Sequence, residues 1–299
     1  MNALPQSASI LATSAESGAG VEQNPYTGSN SSNFLSPPSV TTSFNTEQAP
    51  PHIPSSQSST HVHPQPLVFP PSISPQPSPL EPDLLSRTFY RRALPPNLIS
   101  FTSTHGKRLF REALLDGRGE SYFSLVGNFT SQSHPALCGL GSLAMVLNAL
   151  EVDPKRRWKG VWRWWSDEML NLCTPLSKIQ RRGVTFRDFE CIAKRNGLTV
   201  IPRRYDNTTY IEFLQDIELT STSPDVLMVA SFSRKAMGCT GDGHFSPVCA
   251  YHRGEDRVLV LDVARFKYPS YFASTRELYE AMKPIDKETN LPRGYFLLR

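Results

Sequence analysis

The first 86 residues contain neither lysine nor arginine; the first basic side chain is Arg87. Ser, Pro, Thr, Asn and Gln fill this stretch, in runs such as APPHIP and FPPSISPQPSPLEP. Its five acids, Glu16, Glu22, Glu47, Glu81 and Asp83, give it a charge of −5. Such a segment has too few apolar side chains to offset the entropy lost on ordering a chain, so residues 1–86 are predicted to be a disordered tail. Any packed core must come from residues 87–299, read as one domain. That remainder carries +9, because the whole chain of 299 residues carries +4.

The opening residues MNALPQSASILATSAESGAG lack the basic start and long apolar run of a secretory leader and the arginines of a transit peptide. No window approaches the 18 apolar residues of a spanning helix, so no membrane is expected as a partner. Without a leader, the N-x-[ST] sites at Asn30, Asn128 and Asn207 read as chance matches. Five cysteines (Cys138, Cys173, Cys191, Cys239 and Cys249) are widely spaced and form no CxxC pair. That pattern suits a reducing, cytoplasmic setting and argues against a disulfide framework or a structural zinc site. His61 and His63 have no further ligand nearby, so no metal is assigned to them. The stretch PKRRWKGVWRWW (154–165) holds all four tryptophans among basic residues. Nucleic-acid binding uses such mixtures, but rings packed in a core beneath solvated Lys and Arg tips explain it more simply, and no nucleic acid is expected.

Apolar spacing predicts helices over 107–117, 138–150, 166–173, 185–196 and 209–218. In the second half the pattern changes to short strand-like runs at 225–233, 244–251, 257–264 and 295–299. HRGED (252–256) is the turn between the middle pair. Helices followed by strands predict an α+β domain with an antiparallel sheet packed on helices.

Cys138 opens the helix CGLGSLAMVLNAL. Backbone N–H groups at a helix start favour an anion, and the thiolate is the nucleophilic form of cysteine. Its activation needs an imidazole that is itself oriented by a third group. His244 follows GCTGDG, where Gly243 leaves room for a substrate backbone. Asp262 falls on the next predicted strand, close enough across the hairpin to hold the imidazole tautomer. Gln132, six residues before the cysteine, is placed to donate to an oxyanion together with the Cys138 N–H. Spacing alone leaves other readings open: Cys138 as an inert helix cysteine and Asp262 as a structural carboxylate. His134 and His252 also stand nearby but lack a comparable orienting acid.

The stretches QSHPALCGLGSLAMVLNALEVDP, RRWKGVWRWWSDEMLNLC, GDGHFSPVCAY and LDVARFKYP resemble phytochelatin synthases, the γ-glutamylcysteine dipeptidyl transpeptidases of the papain-like cysteine peptidase superfamily. The resemblance runs from Thr88 to Arg299 and keeps the Gln–Cys–His–Asp order. It implies a papain-like fold, Cys138 as nucleophile, His244 as base and then acid, Asp262 as orienter and Gln132 as oxyanion donor. It also places Gly243, Arg265, Tyr268, Asp286 and Arg293 around the substrate. Plant members carry a Cys-rich C-terminal region credited with metal sensing, for which these residues show no counterpart. Leu172 stands where those members often have a cysteine. Both differences bear on how far metal ions would activate the chain.

By resemblance the substrates are glutathione and the growing phytochelatin, and a homodimer is allowed. No prosthetic group is expected; cadmium or zinc would activate the reaction as glutathione thiolate complexes. Two other functions stand beside this one. A glutathione hydrolase would use the same site with water as acceptor. A non-catalytic thiol metal-binding protein would want clustered thiolates, which this sequence lacks.

Overall fold

The computed structural model describes Leu84 and residues 88–299. The predicted tail, Leu84 apart, and the histidines at 61 and 63 lie outside the described residues. Helix α1 (Thr104–Leu115) starts at Ser103, whose hydroxyl accepts from the Gly106 N–H. It is followed by α2 (Glu120–Gly127) and α3 (Cys138–Ala149). Next come α4 (Leu176–Arg182), α5 (Phe186–Arg195) and α6 (Tyr210–Thr222). The last two of these open with capping boxes, Thr185 with Asp188 and Thr209 with Glu212.

Seven strands make an antiparallel sheet: β1 (Ile99–Ser100), β2 (Val200–Arg204), β3 (Leu227–Ser233), β4 (Gly243–His252), β5 (Arg257–Val260), β6 (Tyr271–Ser274) and β9 (Gly294–Leu298), in the order β1-β6-β5-β4-β3-β9-β2. A separate hairpin pairs β7 (Ile285–Asp286) with β8 (Leu291–Pro292), and α7 (Thr275–Glu280) follows β6. Strand residues alternate between two cores. Leu227 and Val229 of β3 face a cluster with α1, α3 and α5, while Met228, Ala230 and Phe232 face one with Phe213 and Ile217 of α6. The protein is thus α+β, with helices on both faces of the sheet.

Helix α3 is the centre of the larger core. Among its twelve residues only Asn148 is not buried, so it is apolar all round, as a central helix must be. Close approach requires small residues. A Cβ on Gly139 would sit 3.0 Å from Val184 Cβ, and one on Gly141 would sit 3.3 Å from Gln132 Cβ. Ser142 ties the helix to the sheet by donating to the Phe245 carbonyl of β4 at 3.2 Å.

Several expectations fail. Residues 166–173 hold only a short 3-10 turn, Asp167–Met169. Asp167 accepts from the Ser133 N–H and hydroxyl, and the Asn171 N–H is taken by Asn196 Oδ1, so the helical ladder cannot continue. Strand β5 ends at Val260, so Asp262 lies just beyond it. Only Trp165 enters the core; Trp158 and Trp162 are exposed about a tight turn bridged between Lys159 and Trp162, and Trp164, beyond that turn, is exposed too.

The cysteine pattern also misleads: Cys173 and Cys191 are joined, with Cα atoms 6.2 Å apart. Helix α5 folds back along residues 171–174, held by Thr174 donating to Asp188 at 2.6 Å, and this brings the thiols together. Cys138, Cys239 and Cys249 are free and buried. Among the described residues no helix is long and apolar enough to cross a membrane.

Candidate active site

Four pieces of chain converge at one end of the sheet. The first turn of α3 carries Cys138, and the start of β4 carries His244. The segment after β5 carries Asp262, and the turn before α3 carries Gln132. Phe232 and His244 are register partners across β3 and β4, so the next residue of β3's path, Arg234 after Ser233, emerges beside the imidazole. Cys138 is 8% exposed, His244 3% and Asp262 0%. Water is therefore largely excluded from the charges, which strengthens every interaction between them.

Asp262 Oδ1 lies 3.1 Å from His244 Nε2. The same oxygen accepts from the Ala264 N–H at 2.8 Å, which fixes the carboxylate. Ser246 Oγ is 2.8 Å from His244 Nε2 as well. Arg234 Nη2 approaches three atoms at 2.8 Å: His244 Nε2 and both Asp262 oxygens. Its guanidinium lies 5.1 Å from the Tyr268 ring centre.

Burial pushes the Cys138 thiol up, but the His244 ring, the Phe245 N–H and Arg234 outweigh it and leave the thiol below its ordinary value. For His244, burial and Arg234 pull down, Asp262 and Cys138 pull up, and the net is a raised value. Burial pushes Asp262 up, yet His244, Arg234 and the Ala264 N–H bring it to about 2. The arrangement therefore favours thiolate, imidazolium and carboxylate together, a nucleophile with a proton donor beside it.

Gln132 is 5% exposed and is tied by its own N–H to the Val263 carbonyl at 2.9 Å, next to Asp262. Its Nε2 donates to the His134 carbonyl at 2.8 Å, which orients the amide and leaves its second hydrogen available. Gly141, against which Gln132 packs, lies three residues after Cys138 and so on the same side of α3.

Beside the thiol opens a cavity of about 460 Å³. Of the residues expected around a substrate, Gly243, Asp286 and Arg293 line it. Arg293 is 5% exposed and donates to the Pro284 carbonyl at 2.7 Å. The other two lie elsewhere. Tyr268 is buried under Arg234, its hydroxyl accepting from the Thr240 N–H at 2.9 Å, and Arg265 rests over the Phe129 ring at 5.3 Å. Sequence reasoning missed Arg234 and Ser246 at the centre, and Arg182 and Glu288 at the cavity wall. The register of a hairpin joining 225–233 to 244–251 would have pointed to Arg234, since both strand ends meet there. Among the described residues no group of three or more His, Cys, Asp or Glu could hold a metal ion.

Residues 89–295 match the family described as Phytochelatin synthase. The glutathione gamma-glutamylcysteinyltransferase of Schizosaccharomyces pombe is 48% identical over 214 residues, which is 72% of this chain and 52% of that protein. Glutathione gamma-glutamylcysteinyltransferase 1 of Lotus japonicus is 45% identical over 210 residues, 70% of this chain and 42% of that protein. Glutathione gamma-glutamylcysteinyltransferase 2 of Arabidopsis thaliana is 42% identical over 211 residues, 71% and 47% of the two chains. The chain thus spans about half the length of the curated relatives it matches. The match takes in α3, both strands that frame His244 and the Asp262 segment, and on that breadth the chain belongs to the phytochelatin synthase family.

Proposed function

We propose that the chain is a glutathione γ-glutamylcysteinyltransferase of papain-like fold, with Cys138 as nucleophile, His244 as acid and base, Asp262 as orienter and Gln132 as oxyanion donor. The observation that carries this reading is the buried Cys138–His244–Asp262 group opening onto a cavity with charges of both signs. The γ-glutamyl end of glutathione is an amino acid, with a carboxylate and an ammonium on one carbon. Arg293 suits the carboxylate, and Asp286 or Asp242 suits the ammonium.

In the first half-reaction the Cys138 thiolate adds to the carbonyl carbon of the Cys–Gly peptide bond. The oxygen that gains charge takes hydrogen bonds from Gln132 Nε2 and the Cys138 N–H. As the C–N bond breaks, the His244 imidazolium gives its proton to the leaving glycine amine, and a γ-Glu-Cys thioester remains on Cys138. In the second half-reaction the α-amine of another glutathione, or of a growing chain, attacks the thioester. Neutral His244 takes the amine proton, the thiolate leaves, and the peptide is longer by one γ-Glu-Cys unit.

Cadmium or zinc enters this account as part of the substrate, held by glutathione thiolates, in keeping with the preference of soft metals for sulfur. The setting is the cytoplasm, where glutathione is abundant and the Cys173–Cys191 bond would be exposed to reduction.

The test is mass spectrometry of products from purified protein incubated with glutathione, with and without cadmium. Oligomers of (γ-Glu-Cys)n-Gly support the transferase. Glycine and free γ-Glu-Cys without oligomers move the assignment to a hydrolase, and unchanged glutathione sinks both.

A further inference from the structure

One buried cation stands inside the catalytic group without a part in either half-reaction. Arg234 is 3% exposed, and a charge so far from water has to be matched. Asp262 matches it, through one nitrogen placed 2.8 Å from each carboxylate oxygen. The contact is not a saturated structural network, because Arg234 Nη1 is buried with no hydrogen-bond partner among the described residues. The loop that carries Arg234 is itself fixed. Its N–H donates to the Asp242 carbonyl at 2.7 Å, and its carbonyl accepts from the Cys239 N–H at 2.8 Å.

The third contact, to His244 Nε2, sets up a competition. A proton on Nε2 can be given to Asp262 or to Ser246. The Arg234 nitrogen is a donor too, so at 2.8 Å it opposes that proton. The Cys138 thiolate and the Asp262 carboxylate favour imidazolium, while Arg234 alone of the close neighbours disfavours it. Further neighbours are the uncharged edge of Phe232 and, acting on the Arg234–Asp262 pair, Lys267, Tyr271, Cys239 and the Tyr268 ring. A ring held too firmly as imidazolium would be a poor acid for the leaving amine, since proton transfer works best near balance.

We propose that Arg234 is a positioning residue: it clamps the Asp262 carboxylate against His244 and offsets the negative field on the ring, so that the imidazole supports the thiolate yet still releases its proton. Only the last step rests on the transferase reading.

The test titrates His244 by NMR of isotope-labelled histidine in the full chain, with the signal identified by its loss in His244→Asn. No glutathione is needed. Arg234→Gln removes the charge, and its His244 midpoint is expected to rise by about one pH unit. Arg234→Lys keeps the charge but replaces the planar guanidinium with an ammonium on a shorter, flexible stem, which does not hold the carboxylate in one place. Its midpoint is expected to stay within a few tenths of a unit of wild type while glutathione turnover falls about tenfold. Equal midpoints in wild type and the Gln variant, with only a lowered melting temperature, would reduce Arg234 to packing. If the Gln variant does not fold, the Lys variant decides, and wild-type turnover there overturns the clamp. A wild type that titrates as described but leaves glutathione intact sinks the transferase and spares this inference. Normal turnover with an unmoved midpoint does the reverse.

Discussion

Gly141→Ala is the smallest change that should separate chemistry from folding in this protein. Gly141 lies on α3, and a Cβ there would sit 3.3 Å from Gln132 Cβ and 3.4 Å from Gln132 Cα. Carbons prefer about 3.5–4.0 Å, so Gln132 has to retreat by a few tenths of an ångström. Its backbone is pinned to Val263 and its amide to His134, so the shift falls on the side chain proposed as oxyanion donor.

Overpacking costs about 1–3 kcal/mol, and alanine recovers about 1 kcal/mol over glycine inside a helix. The net loss is then about 0–2 kcal/mol, a few degrees of melting temperature for a domain of this size. Losing a whole oxyanion donor costs about 10²–10³ in kcat, so displacing one should cost about 10–100-fold. Single-turnover release of glycine from glutathione, paired with thermal melts, reads both quantities. Gly127→Ala is the control, because nothing lies within 4 Å of its Cβ position at the end of α2. Wild-type glycine release by Gly141→Ala, or an equal fall in the control, would refute the placement of Gln132.

Asp262→Asn should destabilise the fold by about 3–5 kcal/mol, since it strands the buried Arg234 charge; urea melts that coincide with wild type would contradict this. The pH–rate profile should show a plateau. Thiolate is lost only as pH falls through the lowered Cys138 value, and imidazolium only as pH rises through the raised His244 value. Groups at their ordinary values would also give a plateau, but a low one with its acid limb at 6.5 and its basic limb at 9.0, so limbs at those positions would count against the ion pair. Cys173→Ser opens a loop closed across 18 residues and should cost about 3 kcal/mol under oxidising conditions and little in a thiol reductant; equal loss in both would mean the bond does not contribute. Arg293→Lys should raise KM for glutathione about tenfold with a smaller change in kcat, because an ammonium cannot fork onto a carboxylate; the opposite split would remove Arg293 from substrate binding.

Much of this arrangement is legible in the sequence. The three- and four-residue apolar steps after Cys138 marked α3, and the two strand-like runs around HRGED marked β4 and β5. The hairpin they form is what carries His244 towards Asp262, although Asp262 itself lies beyond the paired residues. The helices expected over 185–196 and 209–218 also form, each opened by a capping box at Thr185 or Thr209.

What stayed hidden depends on contacts between distant segments. Arg234 looked like one basic residue in a polar loop, and only the β3–β4 register turns it inward. Cys173 and Cys191 carry no spacing signal, because their pairing follows from how α5 folds back along residues 171–174. The tryptophans read as core because large rings usually are, yet Trp158 and Trp162 stand about a surface turn and Trp164 follows it, all three exposed. Tyr268 and Arg265, which the resemblance places around the substrate, pack against Arg234 and Phe129 and are not among the residues lining the cavity beside Cys138.

The most direct test of the central claim is to trap the acyl-enzyme. Purified protein mixed with glutathione and quenched in acid within a turnover should gain the mass of one γ-Glu-Cys unit, mapped by peptide fragmentation to Cys138 and absent from Cys138→Ala. An adduct on Cys239 or Cys249, or glycine released by Cys138→Ala at the wild-type rate, would contradict the assignment of the nucleophile.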